Sequence, residues 1–94
     1  MKWLEIIELR SVGNNRKLFE QEFKSLIEEL NRETEQGAIK VYCRIAIDSD
    51  FSIHLLHNSK KADINGSPLV MQLISSLKEY GLINHSVWEE KLSS

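Results

Sequence analysis

The chain predicts an α+β fold of order β-α-β-β-α-β, a four-stranded antiparallel sheet with both helices on one face. Three observations carry that reading. Four segments alternate in strand fashion, two amphipathic stripes of helical period separate them, and one connection carries a proline-marked helix start. At 94 residues, the chain has apolar surface for one core, and it is read as a single domain over residues 1–94.

The elements follow in order. "KWLEIIELR" (Lys2–Arg10) is rich in β-formers, with apolar residues on both sides of its alternation, the pattern of a strand contacted on two faces. "SVGNN" then gives a turn, with Asn14 or Asn15 as a helix N-cap. Phe19, Phe23, Leu26, Ile27 and Leu30 form one stripe on a helix from about Arg16 to Glu33, and Gly37 closes the connection. In "AIKVYCRIAID", Ile39, Val41, Cys43, Ile45 and Ile47 lie on one side of a strand, with Lys40, Tyr42, Arg44, Ala46 and Asp48 on the other. "FSIHLLHN" alternates likewise. Matching apolar faces predicts a hairpin with the loop Asp48-Ser49-Asp50, setting Ile47 against Phe51, Ile45 against Ile53, Cys43 against Leu55, Arg44 beside His54 and Tyr42 beside Leu56.

After the polar "SKKADINGSP", Ser67 caps a second helix with Pro68 at its first position. Val70, Leu73, Ile74 and Leu77 form its buried stripe, and Gly81 terminates it. Ile83, His85 and Val87 alternate as a last strand. Two right-handed crossovers around one hairpin make this the ferredoxin-like layout.

Composition excludes several functions. Twelve basic against fourteen acidic residues give a net charge of −2, which supplies no field for a nucleic-acid backbone. Glu5 and Glu8 interrupt the apolar start that a signal peptide requires, and no stretch reaches the roughly 20 apolar residues of a membrane span. The expectation is a cytoplasmic protein with neither nucleic-acid nor membrane partners. The single cysteine, Cys43, excludes an intrachain disulfide and sits in an apolar run, where a buried structural thiol is expected. No metal or cofactor is expected: His54 and His57 are three apart in a strand and point to opposite faces. His85 lies on the far side of the first strand from His54.

Two helices cover one side of a four-stranded sheet. The other side carries Tyr42, Arg44, Ala46, His54, Leu56 and Trp88, too apolar a set for a solvated face, and a second copy pairing face to face would cover it. The β-α-β-β-α-β order, the size and the closing "LKEYGLINHSVWEE" resemble small members of the dimeric α+β-barrel superfamily, in the antibiotic-biosynthesis-monooxygenase-like branch. That resemblance implies a homodimer with a pocket under each concave sheet face. It further implies cofactor-independent oxygenation of an aromatic substrate, or ligand binding alone. The Asn, Trp and helix-borne His of haem-degrading relatives have no match here, because all three histidines fall in strands and the first strand has no Asn.

Within such a pocket His54 is the candidate catalytic base, and Tyr42, Arg44, His54, Leu56 and Trp88 are the candidate ligand-binding residues. Burial and a neighbouring guanidinium both favour the neutral, proton-accepting imidazole. Glu5 or Glu8 would complete the cluster, depending on the register of the first strand. The bland counterpart is an Arg44–His54 pair sealed in a dimer interface. His57 reads as a structural residue at the edge of the core, and His85 fits either face. Other functions of the layout fit poorly. A copper chaperone needs Cys-x-x-Cys, and an RNA-binding sheet needs exposed aromatics where the third strand offers only the core residue Phe51. A phosphatase loop needs more glycine than "RSVGNNR" holds. A purely structural or partner-binding dimer and an amino-acid-binding regulatory module remain as alternatives.

Overall fold

The structure is a computed structural model describing residues 1–12, 16–33 and 39–92. Its elements are β1 (Lys2–Ser11), α1 (Arg16–Glu33), β2 (Ile39–Cys43), β3 (Asp50–Asn58), α2 (Pro68–Leu77) and β4 (Gly81–Glu89), with a 3₁₀ turn at Lys78–Tyr80 before β4. The strands form one sheet in the order β2-β3-β1-β4, and every neighbouring pair is antiparallel. The expected Asn14 or Asn15 cap and the Gly37 break lie outside the described residues.

Both helices pack on one face of the sheet. Phe19, Phe23 and Leu30 of α1 join Val70, Leu73 and Leu77 of α2 over Ile7 and Leu9 of β1 and Ile53 and Leu55 of β3. Leu26, Ile27 and Ile74, also in the expected stripes, pack at the margin of this core. Phe19 anchors an aromatic cluster, its ring 4.8 Å from Tyr80 and 5.5 Å from both Phe23 and Phe51. The start of α2 is as its sequence demands: Ser67 Oγ accepts from the Val70 N–H at 3.3 Å, and Pro68 stands in the first turn.

The hairpin departs from expectation. Cys43, not Ile47, is opposite Phe51; Val41 is opposite Ile53, Ile39 opposite Leu55, Lys40 opposite His54 and Tyr42 opposite Ser52. The register is therefore four residues from the one expected. The chain leaves the ladder at Arg44, where Ile47 N–H donates to the Arg44 carbonyl and Asp50 N–H to that of Ile47. Ala46 adopts φ 68°, in the left-handed region. Asp50 secures the exit, its carboxylate accepting from Arg44 Nη1 at 3.3 Å and from Arg10 Nε at 3.0 Å. Ile45 is consequently 93% exposed. Cys43 is exposed rather than buried, because β2 is the edge strand and of its residues only Ile39 is buried.

β4 begins where β1 ends. Gly81 sits so close to the backbone of Arg10 and Ser11 that a Cβ would collide with the Arg10 carbonyl. Gly81→Ala is expected to lower stability by about 2 kcal/mol, the scale of a forced overpacking, read as a drop in the urea unfolding midpoint.

Candidate functional site

Strand alternation divides the polar residues between two faces, and each face gathers a cluster. On the helix side, β1 carries Trp3, Glu5, Ile7 and Leu9, all buried. Glu5 lies between Leu55 and Val87 in the pairing, while His57 is opposite Trp3 and His85 opposite Ile7. The two histidines are thus diagonal neighbours of Glu5, one on each side. His57 Nε2 is 2.7 Å from Glu5 Oε1, and His85 Nε2 is 2.9 Å from Oε2. Ser67 N–H donates to Oε2 at 3.2 Å. The Trp3 indole stacks on His57 with centroids 4.0 Å apart, and its N–H donates to Ser59 Oγ at 2.9 Å. Gly66, at φ 103°, lets the connection pass beside Val70 and His85 where a Cβ would not fit.

Burial pushes the Glu5 carboxyl up, but hydrogen bonds from Ser67, His85 and His57 outweigh that and hold it below the usual carboxylate range. Each imidazole spends Nε2 on a different carboxylate oxygen, so the cluster is closed upon itself. Among the described residues no group of three His, Cys, Asp or Glu is arranged to hold a metal ion. The sequence left Glu5 and Glu8 as alternatives and His85 unassigned; here Glu5 and His85 face the helices, and Glu8 faces the other way.

The uncovered face is graded in cross-strand rows. Leu56, Leu4 and Trp88 form an apolar row, with Trp88 57% exposed and its indole N–H donating to Ser86 Oγ at 2.8 Å. The next row is Lys40, His54, Ile6 and Ser86, followed by Tyr42, Ser52, Glu8 and Asn84. Arg10, Asp50 and Arg44 close the end. The Arg10 guanidinium beside Asp50 holds that carboxyl below its usual range. Two depressions lie on this face, one of about 730 Å³ around Leu4, Leu56 and Trp88, the other of about 500 Å³ around Glu8, Tyr42, Ser52 and Asn84.

Of the expected site residues, Tyr42, His54, Leu56 and Trp88 share this face, and Arg44 stands at its end. They do not meet as expected. Arg44 pairs with Asp50, not with His54, because the hairpin register is shifted; Ala46 lies in the loop. His54 Nε2 is 2.9 Å from Ser52 Oγ, and the Tyr42 ring is 4.7 Å from the imidazole. His54 lies between the two depressions and lines neither. Ser52 and Asn84 were missed by sequence reasoning. Their parity with His54 and Ser86 was the available signal, but short polar side chains do not stand out on a solvated strand face.

No family model matches the chain, and no curated protein matches it by sequence. Its fold is shared by solved structures over almost the whole length. Rv0793 from Mycobacterium tuberculosis superposes with a TM-score of 0.71 at 13% identity, covering 100% of this chain and 99% of that one. SnoaB, a cofactor-independent oxygenase from Streptomyces nogalater, superposes with a TM-score of 0.67 at 10% identity, covering 98% and 95%. At these identities the similarities show the fold: the β-α-β-β-α-β layout with one antiparallel sheet that the sequence predicts. Among the described residues no helix is long and apolar enough to cross a membrane.

Two outcomes are expected for the buried cluster. A carboxyl held below its unfolded value stabilises the fold above that value, and the contribution is lost as pH falls through the folded one. The thermal midpoint of the wild type should therefore fall on acidification through the carboxylate range, and less so in Glu5→Gln. Glu5→Ala, which strands two imidazoles and the Ser67 amide, is expected to cost about 3–5 kcal/mol in denaturant unfolding.

Proposed function

We propose that the chain is a homodimeric small-molecule-binding protein whose ligand, a small aromatic or hydrophobic molecule, lies on the open sheet face. One observation carries this reading: the row Leu56–Leu4–Trp88 stands uncovered on a regular sheet, beside a depression of about 730 Å³, the size of a small-molecule site. A second copy pairing through this face would enclose the apolar row and turn the depressions into cavities. Tyr42, Arg44, His54, Leu56 and Trp88 are the proposed ligand-binding residues, with Trp88 the ring on which a planar ligand stacks.

A second reading, cofactor-independent monooxygenation of an aromatic substrate, is favoured by the fold shared with the oxygenase SnoaB. In that reading His54 is the base.

Sedimentation should give the mass of two chains, and Leu56→Asp should shift it toward one. Planar aromatic compounds should quench the tryptophan fluorescence saturably, and most of that quenching should be lost in Trp88→Phe. A mass of one chain at high concentration, or quenching that never saturates, would remove the respective half of the proposal. For the oxygenase reading, substrate-dependent oxygen uptake should be lost in His54→Ala.

A further inference from the structure

His54 lines neither depression, yet its hydrogen-bond partner Ser52 lines the smaller one, beside Glu8, Tyr42 and Asn84. Resting on the ligand-binding reading above, we propose that Ser52 and His54 form a two-residue proton relay, for a ligand with a weakly acidic hydroxyl that is held there as its monoanion.

The geometry sets the order of the groups. Ser52 and His54 are two apart on β3 and share a face, with Oγ 2.9 Å from Nε2. In the tautomer carrying its proton on Nδ1, His54 accepts from the Ser52 hydroxyl through Nε2. The Tyr42 ring lies against the imidazole, 4.7 Å between centroids. The hydroxyl is thus the relay's contact with the smaller depression. The ligand O–H gives its proton to Ser52 Oγ as the Ser52 proton passes to Nε2. Serine ends neutral, the ligand anionic and the imidazole cationic. No electron changes hands and no further reactant is required.

The surroundings suit the anion of that product, while Lys40 opposes its imidazolium and Glu8 supports it. From β2, Lys40 stands opposite His54 and Tyr42 opposite Ser52. From β1, Glu8 stands opposite Ser52 and Ile6 opposite His54, and β4 presents only the neutral Asn84 and Ser86 beside them. The end of the face adds Arg10 and Arg44 against the single carboxylate of Asp50. With the imidazolium that the step creates, four cations face two carboxylates and the ligand anion. The Asn84 amide and the Ser52 hydroxyl are neutral donors for its oxygen.

The test uses 4-nitrophenol, whose ionised form is coloured, with binding measured independently by equilibrium dialysis. The buffer is set about one pH unit below the phenol's own midpoint, where roughly a tenth is ionised in water. Wild type and Ser52→Thr should hold most of the bound phenol as phenolate. In Ser52→Ala and His54→Gln, whatever their affinity, the ionised share of the bound phenol should return to near its value in water. Full ionisation in Ser52→Ala would overturn the relay while leaving the binding site standing. Loss of ionisation in Glu8→Gln with none in Ser52→Ala would assign the proton to Glu8 and overturn it equally. Failure of the phenol to bind at all would count against the binding reading and, with it, the relay.

Discussion

The fold is organised around a carboxylate that water does not reach. Burying Glu5 costs several kcal/mol unless its charge is met by donors, and the donors come from three separate parts of the chain. His57 arrives from β3, His85 from β4 and the Ser67 amide from the start of α2. Satisfying one side chain therefore aligns three strands in register and seats a helix N-terminus on them. The side chain of Ser67 does further work there, accepting from Val70, so the cap of α2 and the cap of Glu5 are one device. The core of aliphatic and aromatic side chains beneath supplies most of the burial. It would tolerate small slips that the paired oxygens of Glu5 do not.

This arrangement also decides what remains for the other face. With Glu5, His57 and His85 turned toward the helices, the open face keeps a single imidazole and a different chemistry. Apolar residues gather at one end and hydrogen-bonding and charged groups at the other, with His54 between them. The two clusters differ in what they offer: the helix-side histidines are bonded to Glu5, while the open face has hydroxyl, amide and guanidinium donors. That division supports placing ligand chemistry on the open face and a structural role on the helix side.

Much of the layout was legible in the sequence because helices and strands advertise their buried sides. The stripes of α1 and α2, the Ser67–Pro68 start and the alternation of β3 follow from residues that bury one face, whereas β1 reads as contacted on two faces and within one chain buries only its helix side. The hairpin register was not legible, for a definite reason. An even shift keeps every side chain on its own face, and Ile39, Val41, Cys43, Ile45 and Ile47 present the same apolar parity whichever of them meets Phe51. What decides is the turn, where Ala46 takes a left-handed backbone that no residue type announced. The Glu5 cluster was hidden by the same binary logic, which sends charges outward. Its trace was an acid and two imidazoles sharing parity with core residues on three strands, and it becomes readable only once the strand order is known. His54 was legible as an open-face residue, but its cross-strand neighbour, Lys40 rather than Arg44, was not, because that depended on the register.

The abrupt exit of the chain at Cys43 has a bearing on how the protein behaves in a crowd. β2 is an edge strand of only five residues, and an edge is where unpaired backbone groups invite a foreign strand. Had the ladder run on through Ile45 and Ile47, the margin would be a longer apolar template of the kind that nucleates cross-β stacking. The left-handed Ala46 and the Arg44–Asp50 pair instead bend those two isoleucines out of strand geometry. The sequence keeps a hydrophobic β-prone run, and the turn keeps that run from acting as one.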